Sequence, residues 1–201
     1  MLAIVPAAAG MAGLAVPAQA QMSFSDGYKF LDAVKKKDGQ KVEDALNEPG
    51  TTIVNTRDVT TGESALHIVA QRRDLTWLQY LTGKGANVNA RDGRGQTPLQ
   101  IASGLGWREG VEFLVSNKAR LDETNNSGET PLISAVHQRD LAMMRILLEA
   151  GADPDRADNS GRSARDYATL DGKSSMMLQA ITNYAKKGGK EKQATTYGPA
   201  Y

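Results

Sequence analysis

The stretch Asn126-Ser-Gly-Glu-Thr-Pro-Leu-Ile-Ser-Ala-Val-His-Gln-Arg-Asp-Leu-Ala-Met-Met-Arg-Ile-Leu-Leu-Glu-Ala-Gly-Ala-Asp-Pro-Asp155 holds a turn signal, a capped helix opening at Thr130-Pro131 and a second helix ending at Gly151. Thr at the cap accepts from free helix amides, and Pro fits the first helical position, where its missing N–H costs nothing. The same text recurs as Gly95-Gln-Thr-Pro-Leu-Gln-Ile-Ala102, as Gly62-Glu-Ser-Ala-Leu-His-Ile-Val-Ala70 and as Gly161-Arg-Ser-Ala-Arg-Asp-Tyr-Ala168. The glycines at 62, 95, 128 and 161 are each 33 residues from the next. A fixed period of this length means stacked supersecondary units, each buried by its neighbours.

A period of 33 with a Thr-Pro-Leu-His-x-Ala core resembles the ankyrin-repeat family. The resemblance runs from Lys29 to about Lys187 and implies an all-α solenoid of about five helix-turn-helix repeats with short hairpin-like loops. The expected units are an N-terminal cap at 29–57, internal repeats at 58–91, 92–124 and 125–157, and a C-terminal cap at 158–187. The N-terminal unit lacks the Thr-Pro-Leu-His core, and Arg165-Asp166 replace the usual Leu-His in the last unit. Both departures suit terminal repeats, which face water on one side. The expected core comprises Phe30, Leu31, Ala33, Val34, Val42, Ala45 and Leu46; Leu66, Ile68 and Val69; Leu99, Ile101 and Ala102; and Leu132 and Ala135. From the second helices it takes Leu75, Trp77, Leu78 and Leu81; Val111, Phe113 and Leu114; and Leu141, Met144, Ile146 and Leu147.

The repeat from Asp92 to Thr124 departs most from its neighbours. Gly110 falls inside a second helix, where Gly costs about 1 kcal/mol relative to Ala. Lys118 stands where Gly85 and Gly151 end the neighbouring helices, so it must take the left-handed conformation at about 1–2 kcal/mol. The lowest local stability of the array is therefore expected here, with amides of this second helix less protected from exchange than those of Leu141 to Leu148.

Twenty-four basic and 23 acidic residues nearly cancel, which leaves no bulk electrostatic case for nucleic acid or a membrane surface. Arg72-Arg73, Arg91 to Arg94 and Lys186 to Lys192 form basic stretches, but no aromatic stacking platform accompanies them. The absence of cysteine removes disulfides, thiolate metal sites and a cysteine nucleophile. The glycines fall one per turn and form no phosphate-binding pattern. No cofactor is implied. His67 occupies the His of the repeat motif, where the resemblance implies a tie from one repeat's loop to the next. His137 lies at a variable, exposed helix end and has no second His or Cys nearby in the pattern to make a metal site. Ser134, His137 and Asp140 are near in sequence, yet each is accounted for by its repeat position, and there is no nucleophile elbow. A small hydrolase is the least favoured reading.

The family's partners bind the hairpin tips and the outer positions of the first helices. Carried over by position, the expected protein-binding residues are Gln71, Arg72, Arg94, Gln96, Leu105, Trp107, Glu129, His137 and Gln138. Trp107 beside Leu105 has the composition of an interface hot spot; the alternative is that its ring folds over the helix turns and closes the core. The reading is a non-catalytic interaction module for an unidentified protein partner, monomeric, without nucleic acid. A secreted effector acting outside the producing cell is the alternative.

Met1 to Ser25 carry no charge, and Leu2 to Val16 form an Ala/Gly/Leu/Val run followed by Ala18-Gln19-Ala20, a small-x-small cleavage pattern. The run is too short and too diluted by Ala, Gly, Pro6 and Pro17 to span a bilayer. Residues 1–20 read as a signal peptide, 21–28 as a polar linker and 188–201 as a disordered tail. The location implied is periplasmic or secreted, with no stable membrane anchor after cleavage. The charged start that such leaders carry is missing, and an upstream start would supply it. Intact-mass analysis of the native protein should find a mature chain beginning near Gln21; a different first residue contradicts the assignment.

Overall fold

The computed structural model describes residues 18–170 and 176–184, with side-chain environments from Asp26 onward. Its helices, in order, are α1 (Ala18–Lys36), α2 (Gly39–Asn47), a 3-10 turn (Ile53–Asn55), α3 (Ala65–Gln71), α4 (Leu75–Gly83), α5 (Pro98–Gly104) and α6 (Arg108–Ser116). They continue with α7 (Pro131–His137), α8 (Leu141–Ala150), α9 (Ala164–Leu170) and α10 (176–184). The pairs α1/α2, α3/α4, α5/α6 and α7/α8 pack as hairpins. First helices stack as one layer in the order α1, α3, α5, α7, α9, and second helices α4, α6, α8 as another. Among the described residues β-pairing is limited to isolated bridges at Arg57–Ser64 and Ala157–Ser163, at the bases of two loops. This is the all-α ankyrin solenoid that the 33-residue period implies.

The loops hold the stacking register. The Gly93 N–H donates to the Thr61 carbonyl at 2.8 Å, Asn126 to Arg94 at 3.0 Å, and Asn159 to Ser127 at 3.3 Å. The repeat glycine beside each contact permits that approach. An ideal Cβ on Gly62, Gly95 or Gly128 would lie 2.6, 2.6 or 2.4 Å from the next loop, whereas Gly161, with no described loop beyond it, meets nothing within 4 Å. On the opposite side of the loops a second ladder runs through side chains. Asn55 accepts from the Asn87 N–H at 2.7 Å, Asn89 from Arg120 at 2.8 Å, and Asp122 from Asp153 at 2.9 Å. Arg57 reaches the Arg91 carbonyl, and Arg91 reaches the Thr124 carbonyl and the Glu123 carboxylate. Each loop is thereby bonded to the next through both backbone and side chains.

The core follows the sequence pattern with additions. The expected first-helix residues are buried, and Ile133, Val136, Met143 and Leu148 join them. Trp77 lies at the core's edge, half-buried, with Leu75, Phe113, Leu141 and Ile146. Met177 and Ile181 of α10 are buried and Tyr184 packs against the core, a helical spacing that puts all three on one face. The N-terminal boundary is corrected. The stretch 21–28 is no linker, because α1 runs unbroken from Ala18 through it and across the Ala20–Gln21 bond. Residues 1–17, 171–175 and 185–187 of the expected C-terminal cap, and the 188–201 tail lie outside the described residues.

The divergent repeat is built differently from its neighbours. Asp38, Asp74 and Asp140 each cap a second helix, accepting from the N–H of Lys41, Trp77 and Met143. The matching residue in the middle repeat is Trp107, which gives α6 no side-chain cap. Its ring lies instead over Gly110, where an ideal Cβ would be 2.2 Å from Cε3. The indole thus fills the direction in which Trp77 and Met143 project from the third helical position of the neighbouring helices. Trp107 is only 6% exposed, so the expected exposed hot spot is overturned in favour of the core-closing alternative. Gly110 is a packing requirement rather than a helix defect. Lys118 does take the left-handed conformation (φ 65°), but Lys37, Arg73 and Arg139 do so as well at the ends of first helices, where this repeat has Gly106. The strain is moved within the repeat rather than added to it, which removes two of the grounds for ranking it weakest.

Gly110→Ala should destabilise the protein by about 1–3 kcal/mol, as overpacking does, instead of stabilising it as in an ordinary helix. Trp107→Asp alone should cost roughly 3 kcal/mol or more from the cavity it leaves. Combined, the two should cost clearly less than the sum, since Asp caps α6 while Ala refills the vacated space. Urea unfolding of the single and double variants measures this coupling.

Candidate protein-interaction surface

Once the side chains spent on stacking are set aside, the exposed face of the first helices and loops has a repeating plan. In one repeat Gln71, ending α3, donates to Glu63 at 2.6 Å. Two repeats on, His137, ending α7, lies 3.2 Å from Glu129 through Nδ1. The repeat between them has Gln96 and Gly104 at the matching places, and a Cβ built on Gly104 meets nothing within 4 Å. Leu105, next to this opening, is 37% exposed. The row is a step in the surface: a carboxylate-bearing wall on each side and an apolar residue at the gap.

The predicted site residues divide accordingly. Gln71, Arg94, Leu105, His137 and Gln138 are exposed, while Gln96 and Glu129 are half-buried at the base of the row. Arg94 projects from its loop and lies 3.7 Å from Asp92. Gln138 donates to the Ser134 hydroxyl at 3.2 Å. Two residues are withdrawn from the surface. Trp107 is in the core, and Arg72 turns back onto the preceding repeat, bonding the Val34 carbonyl and lying 5.7 Å over the Trp77 ring. Its pKa is pulled down by burial and supported by Asp74, which marks a structural clamp. Tyr167 was not anticipated. Its ring meets His137 edge-on at 4.4 Å, and its hydroxyl donates to Asp158 at 2.7 Å, which holds that carboxyl well below the usual range. The available signal was the stacking order, since α9 packs directly on α7, the helix that His137 ends.

Ser134, His137 and Asp140 are each engaged separately and do not bond to one another. Ser134 accepts from Gln138, His137 pairs with Glu129, and Asp140 caps α8 while lying 3.3 Å from Arg108. Asp140 is held below its ordinary pKa chiefly by the Met143 N–H. Among the described residues no group of three or more His, Cys, Asp or Glu is placed to hold a metal, and no helix is long and apolar enough to cross a membrane.

His67 performs the tie implied by the motif. Its Nε2 lies 2.9 Å from the Gln96 carbonyl in the next repeat, and its Nδ1 lies 3.0 Å from the Ser64 amide. A carbonyl only accepts and an amide only donates, so the ring is neutral with its proton on Nε2. In the middle repeat Gln100 reproduces the pattern, with Oε1 accepting from Thr97 N–H at 2.9 Å and Nε2 donating to the Glu129 carbonyl at 2.8 Å. At the next matching position Ile133 is apolar and buried, so this side-chain tie stops there.

A family model described as ankyrin repeats matches residues 30–125, 66–158 and 108–188. The chain belongs to the ankyrin-repeat family. Among curated relatives it is 31% identical over 130 residues to the ANK repeat-containing protein nipk-1 of Caenorhabditis elegans, covering 57% of this chain and 21% of that protein. It is 32% identical over 139 residues to the neurogenic locus notch homolog protein 1 of Danio rerio, covering 69% of this chain and 6% of the relative. The human notch homolog protein 1 is 29% identical over 162 residues, covering 80% of this chain and 6% of its own length. The chain thus spans about a fifth or less of these relatives. What is shared is the repeat array, which in this family generally serves protein–protein interaction and is typically non-catalytic.

Burial holds the His67 pKa below its ordinary value of 6.5. The unfolded chain binds a proton that the native ring refuses, so stability should be full above about pH 6.5 and fall as pH drops below it. His67→Gln, which copies Gln100, should keep the fold and flatten this part of the profile while leaving the acid loss from the carboxylates below about pH 4. Thermal melts from pH 4.5 to 8 test it; an unchanged profile refutes the assignment.

Proposed function

We propose that this chain is a monomeric, non-catalytic adaptor that holds one partner protein against the face formed by its loops and first helices, in an exported and periplasmic setting. The observation that carries the reading is the step at Gly104–Leu105. It is the place in the row where the flanking side chains are replaced by open space, and an apolar residue is left beside it. Arg73 and Arg108 anchor the turn around it, through the Leu105 carbonyl at 2.6 Å and Asp140 at 3.3 Å, so the opening sits on a braced backbone. A preformed surface loses little entropy on binding. Export is supported by the uncharged apolar leader and Ala18-Gln19-Ala20. Cleavage after Ala20 would leave the buried part of α1, Phe30 to Val34, in place.

A photo-crosslinking amino acid placed at Leu105 should form adducts with one partner in the periplasmic fraction, and the same group at Glu112, exposed on α6, should not. Adducts from Glu112 alone would move the binding face to the second-helix layer. Recovery of the protein only from the culture medium would favour the effector that acts outside the producing cell.

A further inference from the structure

Each of the two walls of the step carries a glutamate, and Glu129 faces an imidazole rather than a fixed cation. Glu63 accepts from the Thr61 hydroxyl and the Gln71 amide, and Glu129 accepts from the Asn125 amide and faces His137. Among the described residues neither glutamate is ion-paired to a lysine or arginine. Several cations near them in sequence are engaged elsewhere: Arg57 on the Gly62 carbonyl, Arg72 behind α3, Arg73 on the Leu105 carbonyl and Arg120 on Glu123. Between the walls lie Gln96, Gly104 and Leu105. Stacked helices are spaced about 8–10 Å apart, so two repeats separate the carboxylates by roughly 20 Å. An extended chain covers that distance in about six residues.

We propose that the step between Glu63 and Glu129 receives an extended segment of the partner protein carrying two basic residues about six apart, with an apolar side chain between them seated on Leu105 over Gly104. The proposal rests on the reading of this face as the binding surface and names the chemistry of the occupant. Each basic side chain would lay its aliphatic stem along the row and present its cation to one glutamate, in the manner of long charged residues at interface rims. The apolar residue would cover the opening at Gly104, where a Cβ would meet nothing within 4 Å. An acidic segment would instead meet two carboxylates of its own sign, and a bulky residue at position 104 would close the seat.

The experiment uses the full chain and two labelled synthetic peptides, read by fluorescence anisotropy. One has lysines about six residues apart with a leucine between them at an even spacing from each, so that all three side chains share one face; the other replaces the lysines by glutamates. The lysine peptide should bind with salt-sensitive affinity and the glutamate peptide should not. Glu63→Gln combined with Glu129→Gln should weaken the lysine peptide roughly fivefold and remove most of its salt dependence. Gly104→Gln restores the residue type found at Gln71, should raise the melting temperature by relieving a helical glycine, and should abolish binding. Preference for the glutamate peptide, or binding that survives both sets of substitutions, overturns the proposal. So does concentration-dependent self-association that Gly104→Gln dissolves, since the occupant would then be a second copy. Partner adducts at Leu105 without lysine-peptide binding would sink this inference and leave the surface assignment standing; adducts from Glu112 alone would remove both.

Discussion

No repeat in this chain can bury its apolar face alone, and everything else follows from the need to bring the next repeat close enough to do it. The closeness is set at the loops, where one backbone amide meets the preceding loop's carbonyl and a glycine leaves the room. From that contact the first helices fall into line, and with them Leu66, Leu99 and Leu132 in one continuous core. The polar ties are arranged around the same contact. His67 and Gln100 solve one problem with different chemistry, each satisfying its own helix's first amide with one end and the neighbour's carbonyl with the other. The substitution shows that the requirement is for a donor and an acceptor at fixed separation, not for an imidazole.

The fold was legible because it is written in a period. Glycines at equal spacing, Thr-Pro helix starts and apolar helix faces all gave the same answer, and agreement between levels is what makes a sequence specify a structure. Reading broke down where a residue's neighbour in space was not its counterpart in the repeat. Trp107 looked exposed because the matching residues, Asp74 and Asp140, are polar. Its burial depends on the missing side chain at Gly110, and no single-position comparison reveals that relation. Arg72 looked like a surface charge because it follows an exposed Gln71. Its partners are backbone carbonyls at the end of α1, which carry no sequence signal. Residues 21–28 looked like a linker because they are small and polar, while the register of α1 is set downstream by Phe30 to Val34.

The surface was legible in outline only. Positions could be carried over from the repeat frame, and five of the nine are exposed, with Gln96, Glu129 and Arg72 half-buried and Trp107 in the core. What the frame could not show is that the walls are built by pairs within each repeat, Glu63 with Gln71 and Glu129 with His137. Such pairs turn isolated polar residues into fixed features, and their interruption at Gly104 is visible only when the row is seen whole. Tyr167 extends the row onto the C-terminal cap by the same logic, stacking on His137 from the next repeat.

The exchange at Trp107 and Gly110 also bears on how this array could have arisen. Two positions three apart have traded roles, one giving up a cap to supply a ring, the other giving up a side chain to make room. A return to the neighbouring pattern by one change alone passes through either a collision or a void. The two positions are therefore coupled, and a change at one is tolerated best with the matching change at the other. Repeats descended from a common ancestor can in this way become mutually irreplaceable without any change of fold, and swapping one for another would then fail although every backbone is the same.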